Sequence, residues 1–388
     1  MTKSGAKALL PAGLRDQLPP DSAFEARVVD ALLGCFDRFG YERVKPPLVE
    51  FEENLLEGSG QAVAHQIFRL MDPVSQKMMG VRADMTIQVA RIARTRLGRA
   101  PRPLRLSYAG DVLRVRGTEL EPERQFTQVG AELIGSGQAG ADVEVILLAA
   151  EALAAAGVEG LSIDLNAPPL VPAMCEALAL SEEDIGRLRG ALDHKDAAAI
   201  EAMGGKTADL FGALLAASGP AGAALERLGA IDLPEAARAG AAELREVAER
   251  VQEYRPGLHL TIDPVEHRGF EYHTGVSFAI FTTGGRGELG RGGRYGVDDG
   301  GGHEPATGVT LFMHALMRAL TAPPRTRRLF LPAGTPVETG GVLRSEGWIT
   351  VAGLEAVADA VAEARRLDCT HVWVEGAPLP VDGSEASD

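Results

Sequence analysis

Cysteine is scarce. Three occur in 388 residues, Cys35, Cys175 and Cys369, with no Cys-x-x-Cys pair. That argues against a disulfide scaffold or a cysteine-held zinc and fits a reducing compartment. The eight histidines form no His-Glu-x-x-His and no closely spaced His/Cys quartet, so no metal is expected. No run of 18 apolar residues exists, and the N-terminal stretch has no apolar core of leader length. The expected address is therefore the cytoplasm. Positive charge is also short: 39 Lys and Arg stand against 54 Asp and Glu, a net −15. Such a balance disfavours general binding to nucleic acid or an acidic membrane and leaves room only for a local basic patch. Internal repeats are lacking too, and most glycines and prolines punctuate turns.

At roughly 100–200 residues per domain, the length predicts two to three domains. A helix is expected from Ser22 to Phe39, where Ser22 and Glu25 have capping-box spacing and Val28, Leu32 and Phe36 form one apolar stripe. Gly40 would stop it. The segment Tyr41–Glu50 is extended, with Pro46 and Pro47 confining it to an edge or a strand end. Leu104–Val115 and Arg124–Ile134 read as an antiparallel hairpin around a charged loop. A helix at Asp142–Ala156 and a strand at Leu161–Asn166 follow. Residues 172–254 are Ala-rich and read as several short helices, an inserted subdomain broken at Gly204-Gly205, Ser218–Pro220 and Pro234. Strands return at Leu258–Asp263, Gly275–Thr282 and Thr307–Leu311, followed by a helix at Phe312–Leu320. Beyond a linker near Thr321–Arg325, strands at Leu329–Pro332, Trp348–Ala352 and Thr370–Glu375 and a helix at Leu354–Leu367 make a small unit. The expected class is α+β: an antiparallel sheet flanked by helices. The expected units are a core over 1–322 with its insertion, a small C-terminal α/β domain over 325–376, and a disordered tail over 377–388.

Three constellations bear on chemistry. The glycine run Gly284–Gly296 looks like a phosphate loop, but no amphipathic helix follows it, so a flexible hairpin is favoured. Eight arginines lie between Arg91 and Arg116 against one acid, Asp111. They suit either a solvated helix face or docking of an acidic partner. In the hairpin, residues two apart share a face. Gln128, Gly130 and Glu132 point one way, with Gly130 leaving room between two polar groups, and Tyr108, Gly110, Val112 and Arg114 share a face on the partner strand. An acid stripe with an arginine opposite suits a zwitterion, the acid drawing an ammonium and the guanidinium a carboxylate. An exposed polar sheet face is the plainer alternative.

The order of these pieces resembles the histidyl-type class II aminoacyl-tRNA synthetases. Phe39–Glu50 is similar to their dimerisation motif, Arg82-Ala-Asp-Met-Thr86 to their Arg-Pro-Glu-x-Thr segment, and Leu113–Glu132 to their second motif. Arg268–Gly275 and Gly292-Gly-Arg-Tyr295 resemble the two histidine signatures, and Pro305–Gly308 opens something like the third motif. The resemblance covers roughly residues 8–320. It implies that Asp84, Thr86 and Gln128 face the α-ammonium of histidine, Arg114 and Arg268 its carboxylate, and Glu132 and Tyr295 its imidazole. Tyr272 and His273 stand where the family has a Tyr-Tyr pair.

Departures from the family pattern decide the expected function. The glutamate that holds ATP becomes Arg116, a loop arginine becomes Pro122, and the arginine that grips the γ-phosphate becomes Ala315. A hydrogen bond to a charged group is worth roughly 1.5–3 kcal/mol, so losing three such contacts implies that adenylate formation is lost. Losing the ATP grip while keeping the amino-acid positions resembles the regulatory subunits of ATP phosphoribosyltransferase, which are synthetase paralogues. That resemblance implies a non-catalytic chain that assembles with a short catalytic subunit at the first step of histidine biosynthesis and passes on feedback by L-histidine. It also implies self-association as a dimer, no cofactor, no membrane and no nucleic acid. The alternative is a histidyl-tRNA synthetase or a tRNA-binding paralogue, for which the arginine cluster is the best support.

Overall fold

A computed structural model describes residues 10–57, 63–118, 122–266, 272–283, 287–298, 302–322 and 326–381. They fall into two compact units, residues 1–321 and 322–388. The first opens with α1 (Asp21–Arg38), β1 (Glu42–Arg43), β2 (Val49–Phe51), α2 (Glu52–Leu55), β3 (Phe68–Met71), β4 (Met78–Val81) and α3 (Thr86–Thr95). The hairpin β5 (Leu104–Leu113) and β6 (Gln125–Ile134) follows, then α4 (Ala139–Ala155) and β7 (Leu161–Asn166). The insertion carries α5 (Leu170–Ala177), α6 (Glu182–Asp193), α7 (Ala197–Glu201), α8 (Gly205–Ala216), β8 (Gly219–Pro220), α9 (Ala221–Gly229) and α10 (Glu235–Tyr254). The chain then returns through β9 (His259–Ile262), β10 (His273–Thr282), β11 (Gly290–Asp298) and β12 (His303–Phe312) to α11 (Met313–Ala319).

Nine strands form one sheet in the order β1-β5-β6-β12-β11-β10-β7-β9-β8. From β5 to β7 every neighbour is antiparallel; β1 and β9 join in parallel. This is the expected α+β arrangement. A three-stranded sheet, β2-β4-β3, lies apart from it. The helix α1 buries the expected stripe, Val28, Leu32 and Phe36, together with Leu33 and Cys35. It packs on α4 and β5, and α4 packs in turn on α10 and β12. Side chains alternate along each strand. Thr307 of β12 and Arg294 of β11 therefore turn to α4, where Asp142 receives both. Their neighbours in sequence turn to the opposite face, and the candidate site lies there.

Several expectations are corrected. The helix α1 starts at Asp21 behind Pro20 with no side-chain cap. Glu25 instead accepts from Thr127 Oγ1 at 2.9 Å, so a tertiary contact displaces the capping box. Gly40 does end the helix, at φ 83°. The described part of the glycine run is no flexible hairpin tip: β11 is a central strand, paired on both edges. The insertion contains more than short helices, since α10 runs for 20 residues from Pro234. No helix among the described residues is long and apolar enough to cross a membrane.

The second unit holds β13 (Arg328–Leu331), α12 (Val337–Ser345), β14 (Ile349–Ala352), α13 (Ala360–Arg366), β15 (His371–Val374) and β16 (Ala377–Pro380). Its sheet runs β14-β13-β15-β16, with β13 parallel to both neighbours and β16 antiparallel. The disorder expected from residue 377 is thus corrected for Ala377–Pro380, while residues 382–388 lie outside the described residues. Ala377–Pro380 pairs with β15, where Leu379 stands opposite Val372. The helix α12 was hidden by Gly340 and Gly341, and the helix expected over Leu354–Leu367 shrinks to α13.

Candidate functional site

The outward face of the sheet, with the start of α3, encloses a cavity of about 280 Å³. That volume suits a ligand of amino-acid size. Its polar lining is Asp84, Thr86, Glu132, Tyr272, His273, Arg291, Tyr295 and Thr310.

Glycines on the strands act as sockets for these side chains. Gly130 stands opposite Tyr108 in the β5–β6 register, and a Cβ there would lie 2.3 Å from the Tyr108 ring. Gly308 faces Glu132 across the β6–β12 pair, and a Cβ would lie 1.7 Å from Oε2. Gly293 takes His273, with a Cβ 2.6 Å from the imidazole Cδ2. On β10 the four steps from His273 to Ser277 span what the two steps from Tyr295 to Gly293 cover on β11, a bulge that carries His273 over Gly293. The room expected beside Gly130 is therefore filled by the protein's own Tyr108, which corrects the sequence reading of that glycine.

Glu132 is buried, and its hydrogen-bond donors among the described residues are hydroxyls. Tyr295 donates to Oε2 at 2.9 Å and Tyr108 to Oε1 at 3.2 Å. The Tyr108 hydroxyl lies 2.9 Å from Thr310 Oγ1 and 3.2 Å from Thr86 Oγ1. Burial pushes the Glu132 carboxyl up to about 8; the Tyr295 hydrogen bond opposes the shift and the Asp84 charge adds to it. Burial likewise holds the Tyr295 and Tyr108 phenols protonated, with Glu132 adding to both shifts. Asp84 accepts from Thr86 N at 2.8 Å and from Gln128 Nε2 at 3.0 Å. Gln128 also accepts from Met85 N at 3.1 Å, so it fixes the turn that aims Asp84. Among the described residues, the result is a wall with two carboxyl groups held by neutral donors. An ammonium or imidazolium entering here would meet hydrogen-bond acceptors already in place and pull Glu132 into its charged form.

Six of the nine residues expected at the site line the cavity: Asp84, Thr86, Glu132, Tyr272, His273 and Tyr295. Gln128 stands behind them as a positioning residue. Arg114 is a correction. It lies past the end of β5 with its guanidinium 4.8 Å over the Phe126 ring, and it is absent from the cavity lining. Arg268 lies outside the described residues. Tyr108, Arg291 and Thr310 were not anticipated. Only Tyr108 had a usable signal, because hairpin register puts it across from Gly130. The arginine cluster is largely claimed by carboxylates: Arg91 by Glu50, Arg94 by Glu57, Arg102 by Glu304 and Arg105 by Glu144.

A family model described as histidyl-tRNA synthetase matches residues 13–316. The ATP phosphoribosyltransferase regulatory subunit of Rhodospirillum centenum is 60% identical over 373 residues, 96% of each chain. That of Paramagnetospirillum magneticum is 58% identical over 371 residues, 96% of this chain and 97% of the other. The chain belongs to the ATP phosphoribosyltransferase regulatory subunit family. A solved structure described as an ATP phosphoribosyltransferase regulatory subunit/histidyl-tRNA synthetase from Bacillus halodurans superposes with a TM-score of 0.79 at 25% identity, covering 93% of this chain and 96% of that one. A histidyl-tRNA synthetase from Nostoc reaches 0.80 at 19% identity, covering 95% and 92%, and shows the shared fold.

Within this regulatory-subunit family, the positions where the chain departs from the synthetase pattern have definite places. Ala315 is buried in α11 and presents no charge. Arg116 and Pro122 are exposed on the loop between β5 and β6. His314, next to Ala315, packs with its ring centroid 4.4 Å from that of Phe126.

Proposed function

We propose that the chain is a non-catalytic regulatory subunit. It assembles with a separate, short catalytic ATP phosphoribosyltransferase chain, supports the first step of histidine biosynthesis, and carries the feedback signal of L-histidine. The observation that carries the reading is the contrast between the cavity wall and helix α11. The acid wall of Asp84 and Glu132 is complete down to its supporting hydrogen bonds, while the position that would grip a triphosphate is a buried alanine. Aminoacyl-adenylate synthesis is lost on this account, because phosphoryl chemistry depends on fixed positive charge. Asp84, Thr86 and Gln128 serve the ammonium end of histidine, and Glu132, Tyr295, Tyr272 and His273 the imidazole end. Two copies pair within the hetero-oligomer.

Regulation follows linkage. Histidine shifts the assembly only by the difference in its affinity for two states, and the catalytic chain must in turn alter histidine affinity by the same factor. Co-purification with the catalytic chain, followed by histidine titration of the complex, tests both halves. Absence of a complex sinks the subunit role. A complex that takes no histidine sinks the sensor role and leaves assembly support. Histidine-dependent ATP–pyrophosphate exchange above background would restore the synthetase alternative.

A further inference from the structure

Of the two arginines expected to serve the ligand, Arg114 lies on Phe126 and Arg268 falls outside the described residues. The described cavity nevertheless has a guanidinium. Arg291 lines it from β11, on the same strand face as Gly293 and Tyr295. Successive residues of one face are about 6.7 Å apart, so Arg291 sits roughly 13 Å along the strand from Tyr295, with only Gly293 between them on that face. Its register partner on β12 is Thr310, whose hydroxyl meets that of Tyr108. Arg291 is therefore rooted one cross-strand pair from the network around Glu132. Tyr272 lines the same cavity. Its phenol is held protonated by burial first, with Asp84 and Glu132 adding to the shift and Arg291 opposing it. Glu288 grips the Arg291 fork with two bonds, Nε at 2.7 Å and Nη2 at 2.6 Å, and so fixes its plane at the rim.

We propose that Arg291 is the residue that selects a ligand carboxylate at this cavity, with Glu288 as its positioning residue. This rests on the reading of the cavity as an amino-acid site. Two carboxyl groups at one end and an oriented guanidinium at the other match a zwitterion that carries a second basic group: its cationic groups go to Asp84 and Glu132, and its carboxylate to the Nη1/Nη2 edge of Arg291, the edge turned away from Glu288. The site then rejects amines that lack the acid, because Arg291 and Glu288 give them nothing in exchange.

Calorimetry on the full chain and on its complex with the catalytic subunit tests this with two probes, L-histidine and L-histidinamide, whose carboxylate is replaced by a neutral amide. Wild type should prefer L-histidine by tenfold or more. Arg291→Ala should weaken L-histidine by tenfold or more and change L-histidinamide by less than twofold, abolishing the preference. Arg291→Lys should recover part of the L-histidine affinity, which also guards against a folding defect in the alanine variant. Glu288→Gln should retain a preference for L-histidine. Equal weakening of both probes by Arg291→Ala, or no weakening of either, overturns the assignment while leaving the amino-acid reading intact. If wild type binds neither probe, alone or in complex, the amino-acid reading falls and the assignment with it.

Discussion

Glu132 and Asp142 are both buried carboxylates on or against the same sheet, and they are treated in opposite ways. Asp142, on α4, takes Arg294 Nε at 3.3 Å, a second bond from Nη2, and Thr307 Oγ1 at 2.7 Å. Arg294 continues to Glu243 on α10, tying the insertion to the back of β11. Burial raises the Asp142 carboxyl to about 6 and Arg294 opposes the shift, so the group is charged at neutral pH. Glu132, on the other face, is held by hydroxyl donors among the described residues and rises to about 8. The lesson is that a buried acid with an internal cation holds the fold. A buried acid with neutral donors alone is poised for a cation from outside.

The largest expected effect breaks the first of these sites. Arg294→Ala leaves Asp142 buried and uncompensated, and should cost about 3–5 kcal/mol in denaturant unfolding of the full chain. Glu132→Gln breaks the other site with the reverse outcome for the fold. Histidine affinity should fall about a hundredfold, near 2.7 kcal/mol, while the protein stays folded. Gly308→Ala tests the socket: the new Cβ would lie 1.7 Å from Glu132 Oε2, so the carboxylate must move. Histidine affinity should fall about tenfold with folding largely kept; unchanged affinity would mean that the position of Glu132 is unimportant.

The last effect, small per pH unit, is in pH dependence. Glu132 titrates near 8 folded and near its ordinary 4.5 unfolded. The folded state therefore binds more protons between those values, and stability must fall as pH rises through that window. The slope contributed is at most about 1.4 kcal/mol per pH unit. Glu132→Gln should flatten it, which paired unfolding curves at pH 5 and pH 8 would read as a smaller loss of stability than in wild type.

Strand alternation and hairpin register placed Gln128, Gly130 and Glu132 on one face correctly, because period two is a local property of the backbone. The β11 strand was not legible. Gly290, Gly292 and Gly293 erase its hydrophobic pattern, and each is there to admit a neighbour, Leu311 and Thr310, Phe278 and Gly308, or His273. Those neighbours come from other strands, so the reason for the glycines is visible only after folding. Arg114 failed for a related reason: periodicity gives a residue's face but not the strand's end, and β5 stops at Leu113. Arg291 was missed because its chemistry depends on Glu288, and a turn pair three residues apart looks like surface charge. The tail from residue 377 read as polar and short, but its pairing with β15 comes from across the C-terminal unit.

The central claim is that Glu132 waits, protonated, for a cationic ligand. Titration of L-histidine into the full chain or its complex at about pH 5.5, where the imidazole of free histidine already carries its proton, in buffers of different ionisation enthalpy, tests it most directly. Ligand contact should convert Glu132 to its charged form, releasing a substantial fraction of one proton per site, and this release should vanish in Glu132→Gln together with most of the affinity. Histidine binding that is equally tight, with the same proton exchange, in wild type and Glu132→Gln would contradict the account.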